Sequence, residues 1–142
     1  MNIDSIQNGV VLDHIQAGKS MDIYKYLHLD QLDCSVAIIK NVRSSRMGKK
    51  DIIKIGTLLD IDLDVLGYID PNITVNVIRD GVRVEKKKLE LPKKLVNIIH
   101  CKNPRCITTA ESQLDAIFFL SDAETHTYRC AYCETEEAKK KF

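Results

Sequence analysis

Four cysteines set in two close pairs constrain how the last third of this 142-residue chain can fold. Cys101-Lys102-Asn103-Pro104-Arg105-Cys106 spaces one pair as C-x4-C, and Cys130-Ala131-Tyr132-Cys133 spaces the other as C-x2-C. A pair this close lets one tight turn aim two thiolates at a single ion. Two such pairs close a tetrahedral shell with no position left for water or substrate. Four thiolates favour zinc, with iron second. The thiolates must lose their protons to bind, so metal binding and folding are coupled in such a unit. A reading as unrelated buried thiols leaves the spacing unexplained, and a redox role for Cys130 and Cys133 leaves the first pair unexplained. His100 and His126 flank the ligands of a shell that is already full, so both read as structural or surface residues. Cys34 stands alone in an apolar run and reads as a small core residue.

A short polar join, Leu91-Pro92-Lys93-Lys94, precedes this segment. Its proline can continue neither a ladder nor a helix, which places a boundary near 91–97. The chain then divides into residues 1–92 and 97–142, and the second piece, about 46 residues long, is too small to stand on a hydrophobic core without a staple. Within it Ala116-Ile117-Phe118-Phe119-Leu120 reads as a strand. Lys and Arg total 21 against 20 Asp and Glu, a formal charge of +1. Such a balance gives the chain no global attraction to nucleic acid or membrane. The start, MNIDSIQNGVV, has neither the basic head nor the apolar run of a secretory signal, and no apolar stretch reaches the ~20 residues that cross a bilayer. A cytoplasmic location is expected, where clustered thiols favour metal over disulfide.

Upstream, Gly9–Ile15 reads as a strand, and Met21, Tyr24 and Leu27 have helical spacing with Ser20 as N-cap. Cys34–Val42 is rich in β-branched residues and reads as a strand. Lys50–Leu59 fits a strand or a helix. Asp62–Ile69 is a short helix ended by Asp70-Pro71. Ile73–Arg79 and Val82–Lys88 flank Asp80-Gly81, a strong hairpin signal. With Lys50–Ile55 taken as a strand the order is βαββαβ plus one extra strand. That is a ferredoxin-like α+β sandwich, with Ser44–Gly48 as a hairpin loop, followed by a small mainly-β metal-binding domain.

The two cysteine pairs, preceded by VVLDHI, MGKKDIIKI and TVNVI, resemble the regulatory chain of aspartate carbamoyltransferase, from about residue 3 to residue 136. The resemblance implies an N-terminal allosteric domain that binds nucleoside triphosphates (CTP, ATP and UTP) and pairs the chain into a homodimer. It implies one structural Zn2+ per chain, in a C-terminal domain that docks on the catalytic chain. Two catalytic trimers and three regulatory dimers make the family's usual complex, and the reaction regulated, carbamoyl phosphate with aspartate, commits carbon to pyrimidines. The regulatory chain itself catalyses nothing. In some relatives two nucleotides bind together across a bridging Mg2+. Matched to the family's motifs, the nucleotide-binding positions here are Ile6, Val11, Asp13, His14, Lys50, Ile52, Lys54, Asn76, Ile78 and Lys86, with Ile3 and Asp4 also near the base. Asn103 and Glu134 match positions that face the catalytic chain. Two departures stand out: Asp80-Gly81-Val82 occupies a region that often carries an aromatic residue, and Arg105 replaces a second asparagine.

The residues themselves support this set. On a strand, Lys50, Ile52 and Lys54 share one face, as do Asn76 and Ile78, and Val11 and Asp13. A helix would scatter Lys50, Ile52 and Lys54 over about 400° of rotation. Lysines with one histidine suit a triphosphate, Asp13 suits ribose hydroxyls, and the apolar members can flank a base. Alternation puts Lys86 and Lys88 on one face and Lys87 on the other. A zinc-ribbon module that binds nucleic acid or protein is the rival reading, but the metal segment shows no basic stripe beside Phe118, Phe119, Tyr128 and Tyr132. An enzyme has less support still, because no Ser/His/Asp or Cys/His arrangement is visible and a closed metal shell offers no activated water.

Overall fold

The period-two alternation of the N-terminal strands decides which face of the first sheet is buried. In the computed structural model, which describes residues 6–137, β1 (Gly9–Gln16) buries Val10, Leu12 and Ile15. β3 (Gly48–Ile55) buries Asp51, Ile53 and Ile55 and leaves Lys50, Ile52 and Lys54 half-buried on the other side. The segment that fitted two structures is therefore a strand. With β2 (Val36–Ser44), β4 (Thr74–Arg79) and β5 (Val82–Lys88), these form a five-stranded sheet in the order β2-β3-β1-β4-β5, antiparallel throughout. This is the ferredoxin-like order with β5 added at the edge. Helices α1 (Ser20–Tyr26) and α2 (Leu63–Ile69) supply Ile23, Leu66 and Ile69 to one core with Leu12, Ile15, Ile53, Ile55 and Val75. Each side chain buried there contributes about 1.5–3 kcal/mol.

Local chemistry sets the element ends. Asp62 caps α2, its Oδ1 accepting from the backbone N–H of Asp64 at 3.0 Å and of Val65 at 3.3 Å. In the Asp80-Gly81 turn both residues have positive φ (52° and 78°), the twist that a two-residue hairpin needs. The expectation for Ser20 is corrected: it is the first helical residue, Lys19 holds the N-cap position, and no side chain caps the helix. Ser20 is wholly buried near the Asp51 carboxylate, and its hydroxyl makes no hydrogen bond among the described residues. Cys34 precedes β2, half-buried against the core. Ile3, Asp4 and the tail beyond Glu137 lie outside the described residues.

A second compact unit begins at Leu91. Its three-stranded sheet runs β6 (Lys94–Val96), β7 (Ile117–Asp122), β8 (Thr127–Cys130), with a single-turn α3 (Ile107–Ala110) between β6 and β7. β6 falls in the segment that the cysteine spacing left between the two pieces; its pairing with β7 gives those residues to the metal-binding unit. Leu95, Phe118 and Tyr128 form its buried centre, and the Tyr128 hydroxyl donates to the Pro92 carbonyl at 2.6 Å. That bond ties the join to the unit. Tyr128→Phe is expected to lower the denaturation midpoint of the metal-loaded chain by the equivalent of about 1–2 kcal/mol, with the fold kept. Among the described residues no helix is long and apolar enough to cross a membrane.

Candidate metal centre and ligand-binding face

Cys101 and Cys106 sit on the loop that follows β6, and Cys130 and Cys133 on the turn that ends β8. The four Sγ atoms lie within 4.8 Å of one another. Cys101 and Cys133 are 3.6 Å apart, Cys106 and Cys130 3.7 Å. A tetrahedral ion with metal–sulfur bonds of about 2.3 Å holds its sulfurs about 3.8 Å apart, so the cluster already has the dimensions of such a shell. The donor set fits the group that the sequence implied.

The surroundings prepare the sulfurs for negative charge. Cys133 Sγ lies 3.1 Å from the Thr135 hydroxyl and Cys106 Sγ 3.0 Å from the Thr108 hydroxyl. The Thr135 hydroxyl and N–H pull the Cys133 thiol down to about 6, and the Thr108 hydroxyl lowers Cys106. Burial pushes Cys101 up to about 12 and also raises Cys130, although the N–H groups of Asn103 and of Tyr132 and Cys133 respectively work the other way. Two sulfurs favour the thiolate and two resist it until a cation is present. Thr108 and Thr135 carry no signal in the pair spacings, yet each stands two residues after the second cysteine of its pair, a Cys-x-Thr repeat that could have found them.

Asn103 holds the two loops together. Its amide donates to Thr135 Oγ1 at 3.2 Å, its Oδ1 accepts from the Arg105 N–H at 3.0 Å, and its carbonyl accepts from the Thr109 hydroxyl at 2.8 Å. Glu134 is exposed in left-handed conformation (φ 62°), its carbonyl accepting from Arg129.

In the first unit, register gathers the remaining candidates. Lys54 pairs with Val11, Val11 with Asn76, and Asn76 with Lys86, one row crossing β3, β1, β4 and β5. Directly opposed residues share a face, so the two lysines bracket the row across three strand gaps, about 14 Å. Lys86 thus lies opposite Asn76, while Lys87 lies opposite Val75 and reaches Glu85 at 3.7 Å. Asn76 Nδ2 lies 3.4 Å from the Val11 carbonyl, and its buried Oδ1 has no partner among the described residues. Ile52 and Ile78 lie on the same face, and Ile78 is opposite Gly9. Ile6 packs over that end: a Cβ on Gly9 would come within 2.9 Å of its side chain and closer still to the Ile55 carbonyl.

Lys50 is not a free cation, since its ammonium lies 3.0 Å from the Asp13 carboxylate. Burial works to raise Asp13, but the Lys50 hydrogen bond and the His14 N–H outweigh it and hold the carboxyl below its usual range. His14 sits at a β-bulge with φ 58°, its Nδ1 3.1 Å from Thr74 Oγ1. Beneath this face is Asp51, wholly buried, accepting from the N–H groups of Gly18 at 3.2 Å and Asn41 at 3.0 Å.

Two family models match the chain in succession: the allosteric domain of the aspartate carbamoyltransferase regulatory chain over residues 1–90, and its metal-binding domain over 93–142. Among similar proteins, an aspartate carbamoyltransferase regulatory chain from Clostridium botulinum is 54% identical over 134 residues, 94% of this chain and 92% of the relative. One from Clostridium tetani is 51% identical over 135 residues, 94% of each chain. One from Bifidobacterium longum is 49% identical over 139 residues, 98% of this chain and 99% of the relative. The likeness runs through both units and both cysteine pairs, and the chain belongs to the family of aspartate carbamoyltransferase regulatory chains.

Proposed function

We propose that this regulatory chain senses nucleoside triphosphates (CTP, ATP and UTP) on the sheet face of its first unit and passes the signal, through its metal-binding unit, to an aspartate carbamoyltransferase catalytic chain. The observation that carries the reading is the row Lys54–Val11–Asn76–Lys86: two cations bracket an amide and an apolar residue, with Ile6, Ile52 and Ile78 beside them. Ammonium groups act on phosphate oxygens as point charges, Asp13 and Asn76 suit ribose and base hydrogen bonds, and the isoleucines flank the base. Mg2+ accompanies the bound nucleotide by neutralising its phosphates. The four cysteines hold Zn2+, whose closed shell supplies architecture and no chemistry. Around that centre Asn103, Arg105 and Glu134 form the docking surface. Regulatory dimers, joined through the first unit, hold two catalytic trimers in one complex, in the cytoplasm, at the committed step of pyrimidine synthesis.

Regulation needs different affinity for two quaternary states, not binding alone. The test is titration of the reconstituted complex with CTP and ATP while carbamoyl aspartate formation is followed. Lys54→Ala and Lys86→Ala should each shift the half-effective CTP concentration upward about ten- to a hundredfold, the worth of one charge-assisted hydrogen bond. Activity without effector should be unchanged. Effector curves that superpose on the wild type would sink the reading.

A further inference from the structure

The four sulfurs of the metal centre are not enclosed equally. Cys106 and Cys130 are buried, whereas Cys101 and Cys133 are half-buried. Thr108 sets its hydroxyl 3.0 Å from Cys106 Sγ, and Thr135 sets its own 3.1 Å from Cys133 Sγ. Among the described residues no hydroxyl stands on Cys101. Cys101 instead lines a cavity of about 300 Å³, and the residue before it, His100, lines the same cavity.

Most polar groups around this space are committed. Asn97 donates to Asp115 Oδ1 at 3.0 Å and accepts the Ala116 N–H at 2.8 Å. The Thr109 hydroxyl donates to the Asn103 carbonyl at 2.8 Å, and Thr108 stays on Cys106. His100 differs: it is exposed and holds no hydrogen bond or ion pair among the described residues. No carboxylate lines the cavity. Two atoms on this wall can therefore bind a zinc-like cation, Cys101 Sγ and a ring nitrogen of His100. A water takes about 30 Å³, so the cavity has room for about ten, more than the swing of one imidazole needs.

Chain geometry favours an exchange between the two. Adjacent Cα atoms are about 3.8 Å apart, and an imidazole nitrogen reaches farther from its Cα than a thiol sulfur does. The loop is pinned on both sides, by Asn97 before His100 and by Asn103 after Cys101, so release of one sulfur does not free it. Putting His100 in the place of Cys101 gives a Cys3His shell, as ordinary for structural zinc as the four-cysteine one.

We propose that His100 is a reserve ligand of the metal centre, which takes the fourth position when Cys101 leaves it for the cavity. The metal–sulfur bond breaks and the Cys101 thiolate takes a proton from solvent. The neutral imidazole gives its lone pair to the metal and releases no proton. The proposal rests on the reading of the four cysteines as a zinc site and makes one of them replaceable.

Competition of the full-length chain with a chromophoric chelator for Zn2+, together with Co2+ absorption spectra, tests it. The variants are Cys101→Ala, Cys106→Ala, His100→Ala and the double variant Cys101→Ala/His100→Ala. Shared over four ligands, the binding energy of such a site makes each one worth about a hundred- to a thousandfold in affinity. Cys101→Ala should therefore stay within about tenfold of the wild type, with a tetrahedral Co2+ spectrum whose sulfur-to-metal band is weakened. The double variant and Cys106→Ala should fall by the full hundred- to thousandfold. His100→Ala alone should bind within about twofold of the wild type, since it is outside the resting shell. Adding His126→Asn to Cys101→Ala should change nothing. Cys101→Ala as weak as Cys106→Ala, or a double variant no weaker than Cys101→Ala, overturns the reserve ligand and leaves the four-cysteine site standing. An effect of His126→Asn equal to that of His100→Ala in the Cys101→Ala background overturns it too. A wild type that gives no tetrahedral Co2+ spectrum removes both.

Discussion

Stripping the metal from the native chain should unfold the unit that begins at Leu91 and leave the five-stranded sheet in place. The buried centre of this unit is Leu95, Ile99, Ala116, Phe118 and Tyr128, too few apolar side chains for independent stability at this size. A structural four-cysteine zinc site contributes about 10–16 kcal/mol at pH 7, as much as the whole stability of an ordinary domain. Without the ion, four sulfurs 3.6 to 4.8 Å apart share their protons on unequal terms and the two loops lose their common anchor. Asn103 on Thr135 remains the cross-link nearest the centre, a single neutral hydrogen bond worth about 1 kcal/mol. Chelation followed by amide spectra should therefore show collapsed dispersion for β6 to β8 and native dispersion for β1 to β5. Cys106→Ser and Cys130→Ser should reproduce the loss, and added Zn2+ should restore the wild type but not the variants. In a complex reconstituted with the catalytic chain, the same treatment should release that chain on a sizing column. Native β7 and β8 signals after complete metal removal would show that the metal decorates the fold and does not hold it.

Much of this arrangement was legible before any coordinates, for reasons that differ between the two units. Cysteine spacing is a local code: a turn of two or four residues fixes where both thiolates point, so the four cysteines that cluster could be named outright. The sheet face was legible because alternation is rigid. Once Lys50 is outward, Ile52 and Lys54 must be too. What alternation does not carry is register between strands. That Lys54, Val11, Asn76 and Lys86 fall on one row depends on the two tight hairpins and on bulges at His14 and Asn41, and a bulge has no signature in the chain beyond a residue tolerant of positive φ. The pairing of Lys50 with Asp13 and the work of Thr108 and Thr135 are likewise tertiary. Ser20 shows the opposite failure: its local preference for a cap position gives way to a buried place as the first helical residue, near a carboxylate 31 residues away in sequence, at Asp51.

Asp51 is where the cost of that buried polar cluster should be measurable. It is 0% exposed, on the core side of β3, between the bulges of both neighbouring strands. Its Oδ1 accepts from the Asn41 N–H in the β2 bulge and its Oδ2 from the Gly18 N–H ahead of α1, with the Ser20 hydroxyl and N–H also near it. Burial by itself would raise its pKa. The Ser20 hydroxyl and the three N–H groups more than offset that, and the carboxyl titrates below its usual range. Asp51→Ala leaves several donors without an acceptor and should cost about 3 kcal/mol of stability in the first unit. Asp51→Asn keeps the shape but faces an amide donor toward donors, and should cost nearly as much. The sign with pH follows from the direction of the shift. A group whose folded pKa is depressed stabilises fully above its unfolded value, about 3.9, and loses that contribution as pH falls through the folded value. Wild-type denaturation midpoints should therefore fall on acidification below about pH 4, and the difference between the wild type and Asp51→Asn should shrink over the same range. Because Lys50 is the preceding residue and its partner Asp13 precedes the His14 bulge, Asp51→Ala should also weaken the proposed CTP binding although its side chain points to the core side of the sheet. A variant that loses stability while CTP affinity stays at the wild-type value would confine Asp51 to the core and separate the two bulges from the proposed binding row.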